Sequence, residues 1–231
     1  KFLFEPSPHI FQAVKFRYAH RLQNHSKCNV ASSTEYECRR LIFLTHNLYS
    51  EGQHMKQIKF QLKNKLKVIL VPSHKSPVVS VQMWVKTGSA DEPKGMEGVS
   101  HFIEHLVFKG TRKYNVGEIA GIVEASGGEL NAYTSFDQTV FYVTISKNYS
   151  HIALDVVSEM MGHPTFIPAE VDSEREVVCE EIKMGQDSPG RSSSQLLFKS
   201  TFKKHPYGIP VIGYDKNVRT WPTSKIKKFY Q

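Results

Sequence analysis

Two runs of alternating apolar residues constrain this chain most. In VVSVQMWV the residues Val79, Val81, Met83 and Val85 share one face of an extended strand. In QTVFYVTIS the residues Phe141, Val143 and Ile145 do the same. A period of two marks a strand with one buried face, and that face must be covered by something else. The neighbouring segments supply both more strands and the cover. IKFQL and KLKVILV, joined by the turn-like KNK, read as two further strands. ELNAYTS pairs with QTVFYVTIS as a hairpin turning at Phe136-Asp137. Helices are expected around HFIEH up to Gly110, and over residues 116–125, 150–161 and 168–184. The stretch GQDSPGRSSSQ reads as a flexible loop by composition. A Pro-Thr-Ser start opens a short basic helix before the end of the chain.

This pattern begins near Met55. Residues 1–54 show no sustained period, and hold five of the eleven histidines and two of the three cysteines. They are expected to be an extension, poorly ordered or not native to the domain at 55–231. Cys28, Cys38 and Cys179 make neither a disulfide framework nor a CxxC pair, which favours a reduced compartment. No secretory signal is recognised at the start and no apolar run is long enough to span a bilayer, so a cytoplasmic location is the expectation. The net charge of +8 comes from scattered lysines and arginines. Without an aromatic-interleaved basic motif, a nucleic-acid partner is not expected.

The chemistry lies in HFIEH. At 100 degrees per residue, taking His101 as zero, Glu104 falls near 300 degrees and His105 near 40. Val99, Phe102, Ile103 and Leu106 gather opposite them. Two imidazoles one turn apart can close on one metal ion, and a carboxylate beside them can deprotonate a water. The same pattern also suits two solvent-exposed histidines, because a motif this short carries a false-positive risk.

A metal site of this kind needs a third ligand, and PAEVDSEREVVCEEIKM offers one. On its helical wheel Glu181 sits within the apolar stripe formed by Val171, Val178 and Ile182 on one side and Val177 and Met184 on the other. Glu174, seven residues earlier, lies only about 20 degrees from it. Asp172, Glu176 and Glu180 project elsewhere. A carboxylate on an apolar face is costly unless it is paired or metal-bound. A salt bridge to Arg or Lys from another element, or a place at the edge of the stripe, is the competing explanation.

HFIEHLVFKGT followed by SEREVVCEEIKM resembles the pitrilysin-type (inverzincin) metallopeptidases, whose HxxEH reverses the order HExxH. The likeness is strongest to the bacterial and mitochondrial-processing-peptidase branch. It extends through GGELNAYTSFDQTVFY and HPYGIPVIG, from about Met55 to Gln231. The resemblance implies an α+β fold of the LuxS/MPP-like type, a mostly antiparallel sheet with helices packed on one face. It also implies that this chain stops before one more core strand of that domain, leaving it incomplete at the C-terminus.

The resemblance further implies zinc held by His101, His105 and Glu181, with Glu104 as general base and Glu174 supporting the site without ligating. Leu130, Asn131, Ala132 and Tyr133 match the edge strand on which an extended substrate aligns; by residue type alone, Asn131 also suits a turn or a strand end. The implied substrate is a peptide or unfolded polypeptide. The implied partner is a second pitrilysin-like half or subunit, which closes a chamber over the metal. The expected function is a zinc-dependent endopeptidase or oligopeptidase subunit; the alternative is a non-catalytic structural or assembly subunit, or an inactive fragment.

Overall fold

The structure, a computed structural model, describes residues 57–73 and 75–231, together with the backbone of residues 13–16. The six strands are β1 (Ala13–Phe16), β2 (Ile58–Gln61), β3 (Lys67–Leu70), β4 (Val78–Val85), β5 (Glu129–Thr134) and β6 (Thr139–Ser146). They form one sheet in the order β2-β3-β1-β4-β6-β5. Every pairing is antiparallel except β1 with β3. The expected mixed, mostly antiparallel architecture is therefore present. Apart from β1, the reading of residues 1–54 as an extension lies outside the described residues.

The alternation that suggested the strands fixes their register. Val81 pairs with Val143 and Met83 with Phe141, which puts all four on one face. All four are buried, as is Ile145. On the other face Thr144 donates a hydrogen bond to the Ser80 hydroxyl, and Trp84 Nε1 donates to Gln82 Oε1. The covering layer consists of α1 (Val99–Leu106), α2 (Glu118–Ala125), α3 (Ser150–Gly162), α4 (Pro168–Gln186), α5 (Pro189–Thr201), α6 (Asp215–Val218) and α7 (Thr223–Tyr230). Phe102, Ile119, Met160, Val178 and Ile226 come from five of these helices. They join Val81, Phe141 and Ile145 in a single core cluster.

Two readings need correction. GQDSPGRSSSQ is not a flexible loop, because α5 starts at Pro189 and runs through its serines. Proline at the first helical position suits a helix start, and Leu196, Leu197 and Phe198 follow in the same helix. Gly and Ser content hid this. Val177 and Met184 do not belong to the buried stripe of α4; they are exposed, whereas Val171, Val178 and Ile182 are buried. The covered stripe is narrower than the wheel suggested.

Helix α1 carries the chemistry, and its start is built unusually. The cap position is Gly98, at a left-handed φ of 102°, and supplies no side-chain cap. Glu92 takes over that job from six residues upstream. Its carboxylate accepts from the N–H groups of Gly98 and Ser100, each at 2.7 Å. Unpaired N–H groups at a helix start favour a negative charge there. Burial still pushes the Glu92 carboxyl up to about 7, outweighing those hydrogen bonds. A side chain at residue 98 would also strike the backbone of Ile212, at 2.4 Å. This close approach packs the HPYGIPVIG segment against the start of α1.

Candidate metal centre

Phe102, Ile103 and Leu106 anchor α1 in the core, and the helical period then directs His101, Glu104 and His105 toward α4 and β5. The histidines are not simply solvated, since their side chains are 14% and 22% exposed. Glu181 reaches toward them from α4. Its Oε2 lies 3.7 Å from His101 Nε2 and 3.6 Å from His105 Nε2. One ligand atom from each of the three residues lies within 4.8 Å of the others. Around a tetrahedral zinc at about 2.0–2.1 Å, neighbouring ligand atoms are about 3.3–3.4 Å apart. The two observed Nε2 to Oε2 separations need only a few tenths of an ångström to close, so this donor set of two imidazoles and a carboxylate fits zinc.

Glu174 stands behind the triad. It is 4% exposed, and each oxygen has a partner. His105 Nδ1 donates to Oε1 at 2.8 Å, and Lys109 Nζ pairs with Oε2 at 2.7 Å. Fixing Nδ1 as the donor leaves Nε2 to face Glu181 and His101, the tautomer a metal ligand requires. Burial pushes the Glu174 carboxyl up, but the His105 and Lys109 contacts outweigh it and the net shift is downward. Burial also pulls His105 down, yet the Glu174 and Glu181 carboxylates win and lift it to about 9. His101, by contrast, falls to about 4 through burial and repulsion from His105. Without a metal, these opposite shifts favour an additional proton on His105 over one on His101. The Nδ1 of His101 is buried and has no hydrogen-bond partner among the described residues.

Glu104 occupies the third position on this face. Burial raises its carboxyl above the ordinary range, against the lowering effect of a hydrogen bond from Thr134. That hydroxyl donates to Glu104 Oε2 at 2.5 Å, which leaves Oε1 uncommitted. Sequence reasoning missed Thr134 and Lys109. The period of two puts Thr134 on the same face of β5 as Leu130 and Ala132, and Lys109 follows His105 by one helical turn. Those spacings were the available signals.

The four strand residues expected to align a substrate all lie in β5, at the end of the sheet. Ser135 N–H bonds Gln138 C=O beyond the last strand pair. Counting back through the alternation of antiparallel pairs, Leu130 and Ala132 turn their N–H and C=O groups away from β6, to the open edge. One of these donors is occupied, because Ala132 N–H is met by the Asn131 side chain at 2.8 Å.

Glu181 has one further neighbour. Its Oε1 lies 3.8 Å from Arg191 Nη1, too far for a hydrogen bond, so the competing salt-bridge explanation finds only a loose contact. Asp172, Glu176 and Glu180 are exposed, as expected. Glu180 pairs with Lys183 and Glu176 with Arg219, away from the histidines.

Comparisons with known proteins bear on the family and the fold. Residues 67–215 match the family model described as insulinase (peptidase family M16). The chain is 33% identical over 171 residues to the uncharacterized zinc protease YmxG of Bacillus subtilis, an alignment that covers 74% of this chain and 42% of that protein. A crystal structure of a protease from Helicobacter pylori superposes with a TM-score of 0.74 at 35% identity, covering 77% of this chain and 43% of the other. The first half of the periplasmic protease PqqL from Escherichia coli gives a TM-score of 0.66 at 30% identity, covering 78% and 40%. The matched region thus spans less than half the length of these relatives. With more than half of its residues matched by that model, the chain belongs to the insulinase (M16) peptidase family.

Proposed function

We infer that this chain is the metal-bearing part of a zinc-dependent peptidase that cleaves peptide bonds in extended substrates. The observation that carries this reading is the convergence of His101 Nε2, His105 Nε2 and Glu181 Oε2, with the half-committed carboxylate of Glu104 beside them. A site with three protein ligands and a free acid suits catalysis better than a closed structural site, which uses four. Bound zinc would supply Lewis acidity at the scissile carbonyl and lower the pKa of water. Glu104, through Oε1, takes the proton from the attacking water and hands it to the leaving amine. Thr134 keeps Oε2 occupied and so fixes which oxygen faces the reaction. Glu174 holds the His105 ring.

The substrate is proposed to lie along β5, adding a strand through the open-edge groups of Leu130 and Ala132 while Asn131 and Tyr133 flank it. Backbone hydrogen bonds of this kind bind without regard to sequence. An incoming strand must first displace the Asn131 side chain from Ala132 N–H. Relatives more than twice the matched length support a second pitrilysin-like half, in the same polypeptide or a partner, that completes the substrate chamber. No helix among the described residues is long and apolar enough to cross a membrane. The direct test is Glu104→Gln in the active assembly, followed by peptide cleavage and elemental analysis. Zinc should be retained and cleavage should fall by at least about a hundredfold, the lower bound for losing a general base. Loss of zinc or unchanged cleavage removes Glu104 from this role.

A further inference from the structure

The metal triad opens sideways into a cavity of about 500 Å³ that the proposed chemistry does not use. His101 and Glu181 form part of its wall, so the cavity begins where the scissile bond would lie. The rest is largely apolar, with Phe136, Phe198, Ile209 and Val211 among its lining residues. The aromatic side is well braced: Phe136 stacks on Tyr207 at 4.5 Å and lies 5.1 Å from Phe198. Such a wall receives an apolar side chain of a bound peptide.

The charges around it are not balanced. Two carboxylates reach the wall, and both are committed elsewhere. Glu181 belongs to the metal, and Asp215 is held by Arg219, whose Nε lies 3.1 Å from each of its oxygens. Among the described residues, Arg191, from α5, has only the 3.8 Å contact with Glu181, and its side chain is 61% exposed. Once the charge of Glu181 is drawn to a divalent ion, this guanidinium faces the cavity without a counter-charge. Its planar fork suits a carboxylate, which it can meet with two parallel N–H bonds.

We propose that Arg191 sets specificity, favouring peptides that carry a carboxylate next to the apolar residue seated in the cavity. The inference rests on the peptidase reading of the same site. The carboxylate comes from an Asp or Glu side chain or from the free C-terminus of a short peptide. The chemistry is the same in both cases.

The test uses binding rather than turnover. The zinc-loaded Glu104→Gln chain is titrated with short fluorescent peptides in which the residue after a phenylalanine is Glu, Gln or Lys, each with a free or an amidated C-terminus. At a partly exposed arginine, the Glu peptide should bind about three- to fivefold more tightly than the Gln peptide, and the Lys peptide more weakly still. The order should reverse on adding Arg191→Glu. A Glu-over-Gln preference that survives amidation assigns the carboxylate to the side chain; weaker binding of every peptide on amidation, restored to no difference by Arg191→Glu, assigns it to the C-terminus. The same ranking with and without Arg191, or no binding of any peptide to zinc-loaded protein, overturns the proposal. If the chain holds no zinc by elemental analysis, the peptidase reading itself fails, and that outcome is visible before any peptide is added.

Discussion

Glu174 shows how much a single buried carboxylate can control. Both of its oxygens are used, one on His105 and one on Lys109. A carboxylate behind a metal-binding histidine fixes its ring and raises its basicity, and losing it typically costs ten- to a hundredfold in metal affinity. Glu174→Gln should therefore weaken zinc binding by about tenfold or more in a chelator competition. Lys109→Met should produce part of that loss, and should add little in a Glu174→Gln background, because Lys109 acts through Glu174. Full additivity of the two changes contradicts the relay. At this scale the sequence was informative where residue type and spacing sufficed, as for His101, Glu104, His105 and Glu181. It was silent on Lys109, Thr134 and Arg191, ordinary surface-type residues that gain a role only when another element is folded against them.

At the scale of elements, α1 depends on a cap that comes from outside the helix. Glu92 is held above its ordinary pKa, at about 7, against a reference of 4.5 for the free side chain. The folded state therefore binds the proton more tightly than the unfolded chain. The stabilisation this represents is complete below about pH 4.5 and is lost as the pH rises through 7. Glu92→Gln should flatten that part of the stability profile, read from denaturant midpoints across this pH range. An unchanged slope means the carboxylate is not held as described. The strands β2 to β6 and the helices α1 to α4 were legible in the sequence because hydrophobic period carries their geometry. Helix α5 was not, since its first turn of Pro, Gly, Arg and Ser is polar and its apolar residues come late. Nor was the insertion of β1 between β3 and β4, because Ala13–Phe16 sits in a stretch without a sustained period, and a parallel pairing leaves no local turn to announce it.

For the whole molecule, the central consequence of the proposed site is that a bound metal would tie α1 to α4. The triad takes two ligands from one helix and the third from the other, 76 positions after His105. A ligand that binds only the folded state stabilises it by about 2.7 kcal/mol at a hundred times its dissociation constant. Zinc should accordingly raise the thermal midpoint of the wild-type chain, and a chelator should reverse the shift. With Lys and Arg exceeding Asp and Glu by eight, the chain also offers acidic peptides a favourable long-range field, one that weakens with salt. The most direct measurement is zinc stoichiometry by elemental analysis of the purified chain beside its Glu181→Gln variant. One zinc per chain, lost in the variant, is the predicted result. Zinc retained without Glu181, or absent from both proteins, contradicts a metal centre shared between the two helices.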